Sequence, residues 1–161
     1  MRVYLPSTLP AVRRALALLE VPAGPAYAVT PAMREWYAES DEEEMEYAAL
    51  LAAARASLGL LPVAAGGPRR RVVLAADVPE PQVRVRDDVE RGRLELTAPV
   101  PLTALRAAHI DGPEAEAAVA AAVAAFAAAG RSDADAASAL DEVEGHELLW
   151  YATQELADLV A

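Results

Sequence analysis

Apolar positions recur along the chain with two periods, and the changes of period outline its elements. Arg2-Val3-Tyr4-Leu5 alternates polar and apolar residues, which predicts a first strand closed by Pro6. Ser7 or Thr8 then caps a helix to about Glu20, with Leu9, Val12, Leu16 and Leu19 on its apolar face. Pro22, Gly24 and Pro25 end it, and residues 26–30 read as a second strand. A strand–helix–strand unit of this length favours a right-handed crossover between parallel strands.

Helical spacing then takes over. Thr30 is placed to cap a short helix whose first position suits Pro31, because proline has no N–H to leave unpaired. Ser40 and Glu43 have capping-box spacing, and Asp41, Glu42, Glu43 and Glu44 put negative charge at the positive end of a second helix. Met45, Ala48, Ala49, Ala52, Ala56 and Leu58 carry its apolar stripe, widened by Leu50 and Leu51, which predicts a helix over 41–61. Residues 62–68 read as a loop.

The nearly unbroken apolar run at 71–76 predicts a central strand buried on both faces. Residues 83–86 and 93–97 alternate strictly and predict two half-exposed strands joined as a hairpin, with one more strand at 106–110. Asp111, Pro113 and Glu114 form a second helix start, leading through the alanines and Phe126 to a stop at Gly130. Residues 132–145 read as an acidic, mobile loop holding at most one short helix. A last helix over 146–160 places Leu149, Ala152, Leu156 and Leu159 or Val160 on one face. The expected fold is a single α+β domain over residues 1–161. It has a mixed sheet of four to six strands that opens with a β-α-β unit, and helices packed on it.

Composition narrows the function more than the fold. Hydrophobic residues make up 55% of the 161, much of it alanine, which buries little area per residue. Cysteine is absent, which removes disulfides and thiol chemistry and suits a cytoplasmic setting. No run approaches the roughly 20 apolar residues of a membrane span, so no membrane association is expected. The net charge of −11 disfavours nucleic acid as a partner. Arg69, Arg70, Arg71, Arg84, Arg86, Arg91 and Arg93 suggest a basic sheet face, but no aromatic residue between Tyr47 and Phe126 supplies base stacking.

Few residues point to chemistry. The tripeptide Trp-Tyr-Ala occurs twice, at 36–38 and 150–152, in both cases on a predicted helix. If the two pairs meet they line an aromatic pocket, with Arg34, Glu35 and Glu155 as polar groups. The plainer reading is that the rings wedge two helix ends together in the core, about three times the more frequent outcome. His109 precedes Asp111 and has acid–base or metal-binding potential, but a half-buried strand histidine with a local hydrogen bond is the commoner role. The run at 41–46 lacks the alternating ligands and glycine of a calcium loop, and the segment 142–147 lacks a di-iron pattern. No phosphate-binding glycine motif and no nucleophile elbow occur, so no catalytic residue, metal site or cofactor is assigned.

The segments Val29-Thr30-Pro31-Ala32-Met33-Arg34-Glu35-Trp36-Tyr37-Ala38, Asp41-Glu42-Glu43-Glu44-Met45-Glu46-Tyr47, His109-Ile110-Asp111 and Leu148-Leu149-Trp150-Tyr151-Ala152-Thr153-Gln154-Glu155 carry a resemblance. The chain resembles a family of small actinobacterial proteins classed only as a domain of unknown function. The resemblance extends over nearly the whole length and implies an actinobacterial source, but no activity, ligand or catalytic residue.

Two functions follow as expectations. The first is a non-enzymatic interaction or regulatory module that presents acidic helices to a protein partner or to its own copy. The second is a ligand-binding protein or enzyme using a pocket built from Arg34, Trp36, Tyr37, His109, Trp150, Tyr151 and Glu155.

Overall fold

The alternation at the start of the chain becomes β1 (Arg2–Ser7), the central strand of the main sheet. The computed structural model describes residues 1–63, 67–129 and 134–161. Thr8 accepts a hydrogen bond from the Ala11 amide and so caps α1 (Leu9–Leu18). That helix stops where Leu19 turns left-handed at φ 62°, which leaves Leu19 exposed instead of on the apolar face. After β2 (Glu20–Val21) and β3 (Pro25–Tyr27), Thr30 caps α2 (Pro31–Trp36) as its spacing predicts.

α3 (Glu42–Leu58) is capped by Asp41, whose carboxylate accepts from the Glu44 amide at 2.9 Å, and not by Ser40. Asp41 occupies the three-residue spacing directly before the helix, so the expected start was one residue early and the expected end too late. The central apolar run is β4 (Val72–Asp77), and β5 (Val83–Val85) and β6 (Arg93–Leu96) form the expected hairpin. β7 (Val100–Pro101), β8 (Leu105–Asp111), α4 (Glu116–Ala129), α5 (Ala134–Glu144), β9 (Leu148–Tyr151) and α6 (Leu156–Leu159) complete the order.

The main sheet has seven strands in the order β5-β6-β3-β1-β4-β8-β9, and β2 pairs with β7 in a separate ribbon. Each of these pairings is antiparallel, which corrects the expected mixed sheet and its parallel β-α-β unit. β1 and β3 are indeed neighbours, with Tyr4 opposite Tyr27. The chain leaves α1 through β2, which pairs outside the main sheet, and then enters β3 running against β1.

Two other expectations change, and one helix allowed for in the acidic stretch is present. The last helix over 146–160 is instead β9, a 3-10 turn at Thr153–Glu155, and the short α6. Leu148-Leu149-Trp150-Tyr151 fits either period, and pairing with β8 decides for the strand. The described part of the expected acidic loop is helix α5, with Ala136 and Val143 buried; residues 132 and 133 and the Gly130 stop lie outside the described residues. Asp111 is fully buried rather than capping a helix, and Pro113–Ala115 forms the 3-10 turn that feeds α4.

Alternation along the strands sorts the core into two faces. One gathers Val3, Leu5, Leu74, Leu94 and Ile110 with Val12 of α1 and Leu156 of α6. The other places Tyr4, Tyr27, Val73 and Ala75 against Ala49, Leu50, Ala53 and Ala54 of α3. A third cluster joins Leu58 and Leu61 to Val119, Ala122 and Val123 of α4 and Val143 of α5.

Candidate functional site

The outer surface of α3 is where unusual side chains collect. Tyr47, Leu51 and Arg55 follow one another at four-residue spacing, which puts them in line on one side of the helix. Tyr47 is 51% exposed and Leu51 38% exposed. A cleft of about 440 Å³ opens on one flank, lined by Tyr37, Leu51, Arg55, Glu90, Arg91 and Glu144 among others. On the other flank a cleft of about 360 Å³ is lined by Tyr47, Leu51, His109, His146, Glu147 and Trp150 among others. Leu51 belongs to both, so the two clefts meet across one ridge.

The residues singled out from sequence are split between these places. Trp150 lies opposite His109 across the β8–β9 pairing, and both face the second cleft. Tyr37 lines the first cleft. Trp36 stands beside it with the Arg91 guanidinium 3.8 Å over its ring, a cation–π contact. Tyr151 follows Trp150 on a strand, so it points to the opposite face of the sheet and packs on the aliphatic core.

Arg34 is held away from both clefts in a two-pronged ion pair with Glu42, at 2.7 and 2.9 Å. That contact raises the Arg34 pKa and lowers that of Glu42. Glu155 accepts from the Ala152 amide at 2.8 Å and is committed to its own turn. Neither tryptophan is core: Trp36 is 65% and Trp150 61% exposed, which corrects the reading of the rings as wedges between helix ends. The indoles lie on a short helix and an edge strand, so no helix–helix contact exists for them to fill.

His109 is half-buried in β8, and burial is the main cause that lowers its pKa below 6.5, with the charge of Arg2 adding to it. The expected local hydrogen bond to its imidazole is absent among the described residues. Tyr27 is buried and donates to Glu90 at 2.8 Å; burial first, then that bond, push its pKa up to about 12. The same loop reaches the start of α2, where Thr30 donates to Asp87 at 2.8 Å. Gly92 closes this loop at φ 84°, and a Cβ there would stand 2.6 Å from the Met33 sulfur.

Most of the clustered arginines have partners within the chain, although mainly strand and loop groups rather than the acidic helices. Arg71 and Asp111 are both buried and joined by Nε and Nη2 bonds of 2.8 Å each, and the Arg71 amide also donates to Asp111. Arg71 Nη2 further donates to the His146 carbonyl, tying β4 and β8 to the turn before β9. Arg86 pairs with Asp88 and Arg93 with Glu95, while Arg70 approaches Glu116 at 3.5 Å. An arginine heading an apolar strand was the available signal for the buried clasp. The exposed ridge had a signal too, in Tyr47 and Leu51 at helical spacing beside alanines that suffice for the buried side.

Among the described residues no three His, Asp or Glu side chains converge as metal ligands. No described helix is long and apolar enough to cross a membrane. No curated protein and no solved structure matches the chain. A family match spans residues 1–160, and the chain accordingly belongs to the family of unknown function DUF6912.

Proposed function

We propose that the protein is a non-enzymatic interaction module whose working face is the α3 ridge with its two clefts. One observation carries this. Four of the eight aromatic side chains, Trp36, Tyr37, Tyr47 and Trp150, are at least a third exposed; Tyr37, Tyr47 and Trp150 line the clefts that meet at Leu51, and Trp36 stacks on Arg91 of the first. Tryptophan, tyrosine and arginine are the residues that dominate binding energy in protein interfaces, and exposed rings this dense have no role in the fold itself.

Charge indicates the partner. Asp41, Glu43 and Glu44 are exposed at the start of α3, next to the ridge, where they complement basic groups of a partner. The fitting partner is therefore a protein segment with basic residues flanking apolar anchors. The cysteine-free composition supports a cytoplasmic setting, and the family resemblance an actinobacterial source, with which the alanine-rich, lysine-free composition agrees. A ligand held between Trp36/Tyr37 and Trp150/Tyr151 has less behind it, since Tyr151 and Trp150 face opposite sides of the sheet.

The test is a purified partner titrated against wild type, Trp150→Ala, and the double variant Glu43→Gln/Glu44→Gln. The expected result is saturable binding to wild type, weakened at least about tenfold by each variant, with unchanged thermal midpoints. A partner that binds all three proteins equally, or a concentration-dependent dimer that Trp150→Ala abolishes, would overturn the reading.

A further inference from the structure

A cavity larger than either α3 cleft lies away from the ridge, between α1, residues 60–62 and 67–69, and the end of α6, with a volume of about 650 Å³. Its walls are mostly apolar, with Leu9, Pro10, Leu60, Leu61, Pro68 and Leu159 among them. Its polar side chains are Thr8 and three arginines, Arg13, Arg14 and Arg69, and among the described residues no Asp or Glu side chain lines it. That is unlike the two α3 clefts: Arg55 and Arg91 share theirs with Glu90 and Glu144, and the His109 cleft holds Glu147. In a chain of net charge −11, a cavity walled by cations without a carboxylate side chain is the exception.

Arg13 and Arg14 also have donors to spare. Arg13 spends its Nε and one Nη2 donor on the Val160 carbonyl, at 2.9 and 2.7 Å, which leaves three of its five N–H groups. Arg14 makes no hydrogen bond or ion pair among the described residues. Arg69 is positioned by the carbonyls of Pro62 and Val63. The size falls within the range of small-molecule sites, which join apolar walls to a few convergent polar groups.

We propose that this cavity binds a small organic anion: a carboxylate or phosphate head paired with Arg13 and Arg14, and an aliphatic tail against the leucines and prolines. Arginine suits either head because its planar donors match both anions in a two-pronged geometry. The tail accounts for walls that a bare anion does not need.

Calorimetric titration with octanoate, hexanoate, octyl phosphate, octan-1-ol and inorganic phosphate tests this on the full chain. Octanoate or octyl phosphate binds saturably, and the preferred one identifies the head group. Each buried methylene adds roughly fourfold, so octanoate exceeds hexanoate by about an order of magnitude if the carboxylate is the head. Arg14→Glu lowers that affinity at least about tenfold, and Arg14→Gln less; neither shifts the unliganded thermal midpoint, since Arg14 is exposed and unpaired among the described residues. The proposal is overturned by no saturable binding of either amphiphile, by octan-1-ol binding as tightly as octanoate, by inorganic phosphate matching octyl phosphate, or by unchanged affinity in Arg14→Glu.

Discussion

The two faces of the sheet are closed by opposite means. On one, branched side chains from the strands, Val3, Leu5, Leu74, Leu94 and Ile110, fill the space beneath α1 and α6. On the other, α3 lays Ala49, Ala53 and Ala54, with Leu50 as the one large side chain, onto Tyr4, Tyr27 and Val73, so much of the bulk comes from the sheet. Small residues let a helix lie close to the strands, and some of its larger side chains then remain for the outside. Tyr47 and Leu51 are the exposed ones, while Met45, Leu50 and Leu58 are buried. The face that looks weaker in hydrophobic volume is the one that carries the exposed aromatics.

The largest test of this contrast is the clasp at the end of the α3 face. Arg71→Ala leaves the Asp111 carboxylate buried and unpaired and should cost about 3–5 kcal/mol in urea unfolding. A loss below about 1 kcal/mol would show that water reaches the pair and that this end of the face is open.

Next comes a reciprocal pair of substitutions. Leu74→Ala on the aliphatic face should lose about 2–5 kcal/mol by opening a cavity. Ala53→Leu on the α3 face should lose about 1–3 kcal/mol by overpacking, because Ala53 is completely buried against the sheet. A neutral Ala53→Leu variant would break the contrast, since it would mean that α3 is not pressed onto the strands.

The exposed rings should matter far less to the fold. Trp36→Ala and Trp150→Ala should each change stability by within about 0.5 kcal/mol, against about 3–5 kcal/mol for a core aromatic. Loss on the core scale for either would place that ring in the packing and remove it from the proposed interface.

The smallest effect is the pH response of His109, the titratable group in β8 that faces Trp150. Its pKa in the folded state is below 6.5, so the unfolded chain takes up the proton first as pH falls. The stability it contributes is complete above 6.5, declines as pH drops below that value, and levels off under the folded pKa. Thermal midpoints from pH 7.5 down to 5.0 should show this decline in wild type and a flatter profile in His109→Gln. Equal slopes would mean that the imidazole is already solvated.

Periodicity made much of this molecule legible. The alternation at 2–5, 83–86 and 93–97, the apolar run at 71–76 and the Thr30–Pro31 start each lie where their residue types dictate. The failures have a common cause, namely segments whose composition satisfies two periods. Trp-Tyr-Ala ends a helix at residue 36 and leaves an edge strand at residue 151, although the three residues are the same. Of the candidate site, only the pairing of His109 with Trp150 and the presence of Tyr37 at a cleft survive as geometry; Arg34 and Glu155 are bound to local partners.

By itself, then, the sequence determined the α+β character, the cap at Thr30, a cap at Ser7 or Thr8, and the buried central strand, because each depends on neighbours within a few residues. Strand direction, the fate of Leu148-Leu149-Trp150-Tyr151 and the burial of Arg71 with Asp111 were decided by partners tens of residues away. Alanine explains the division. It is equally at home on the inside and the outside of a helix, so an alanine-rich stripe does not declare which side faces the core, and only the tyrosines of the sheet beneath α3 decide it.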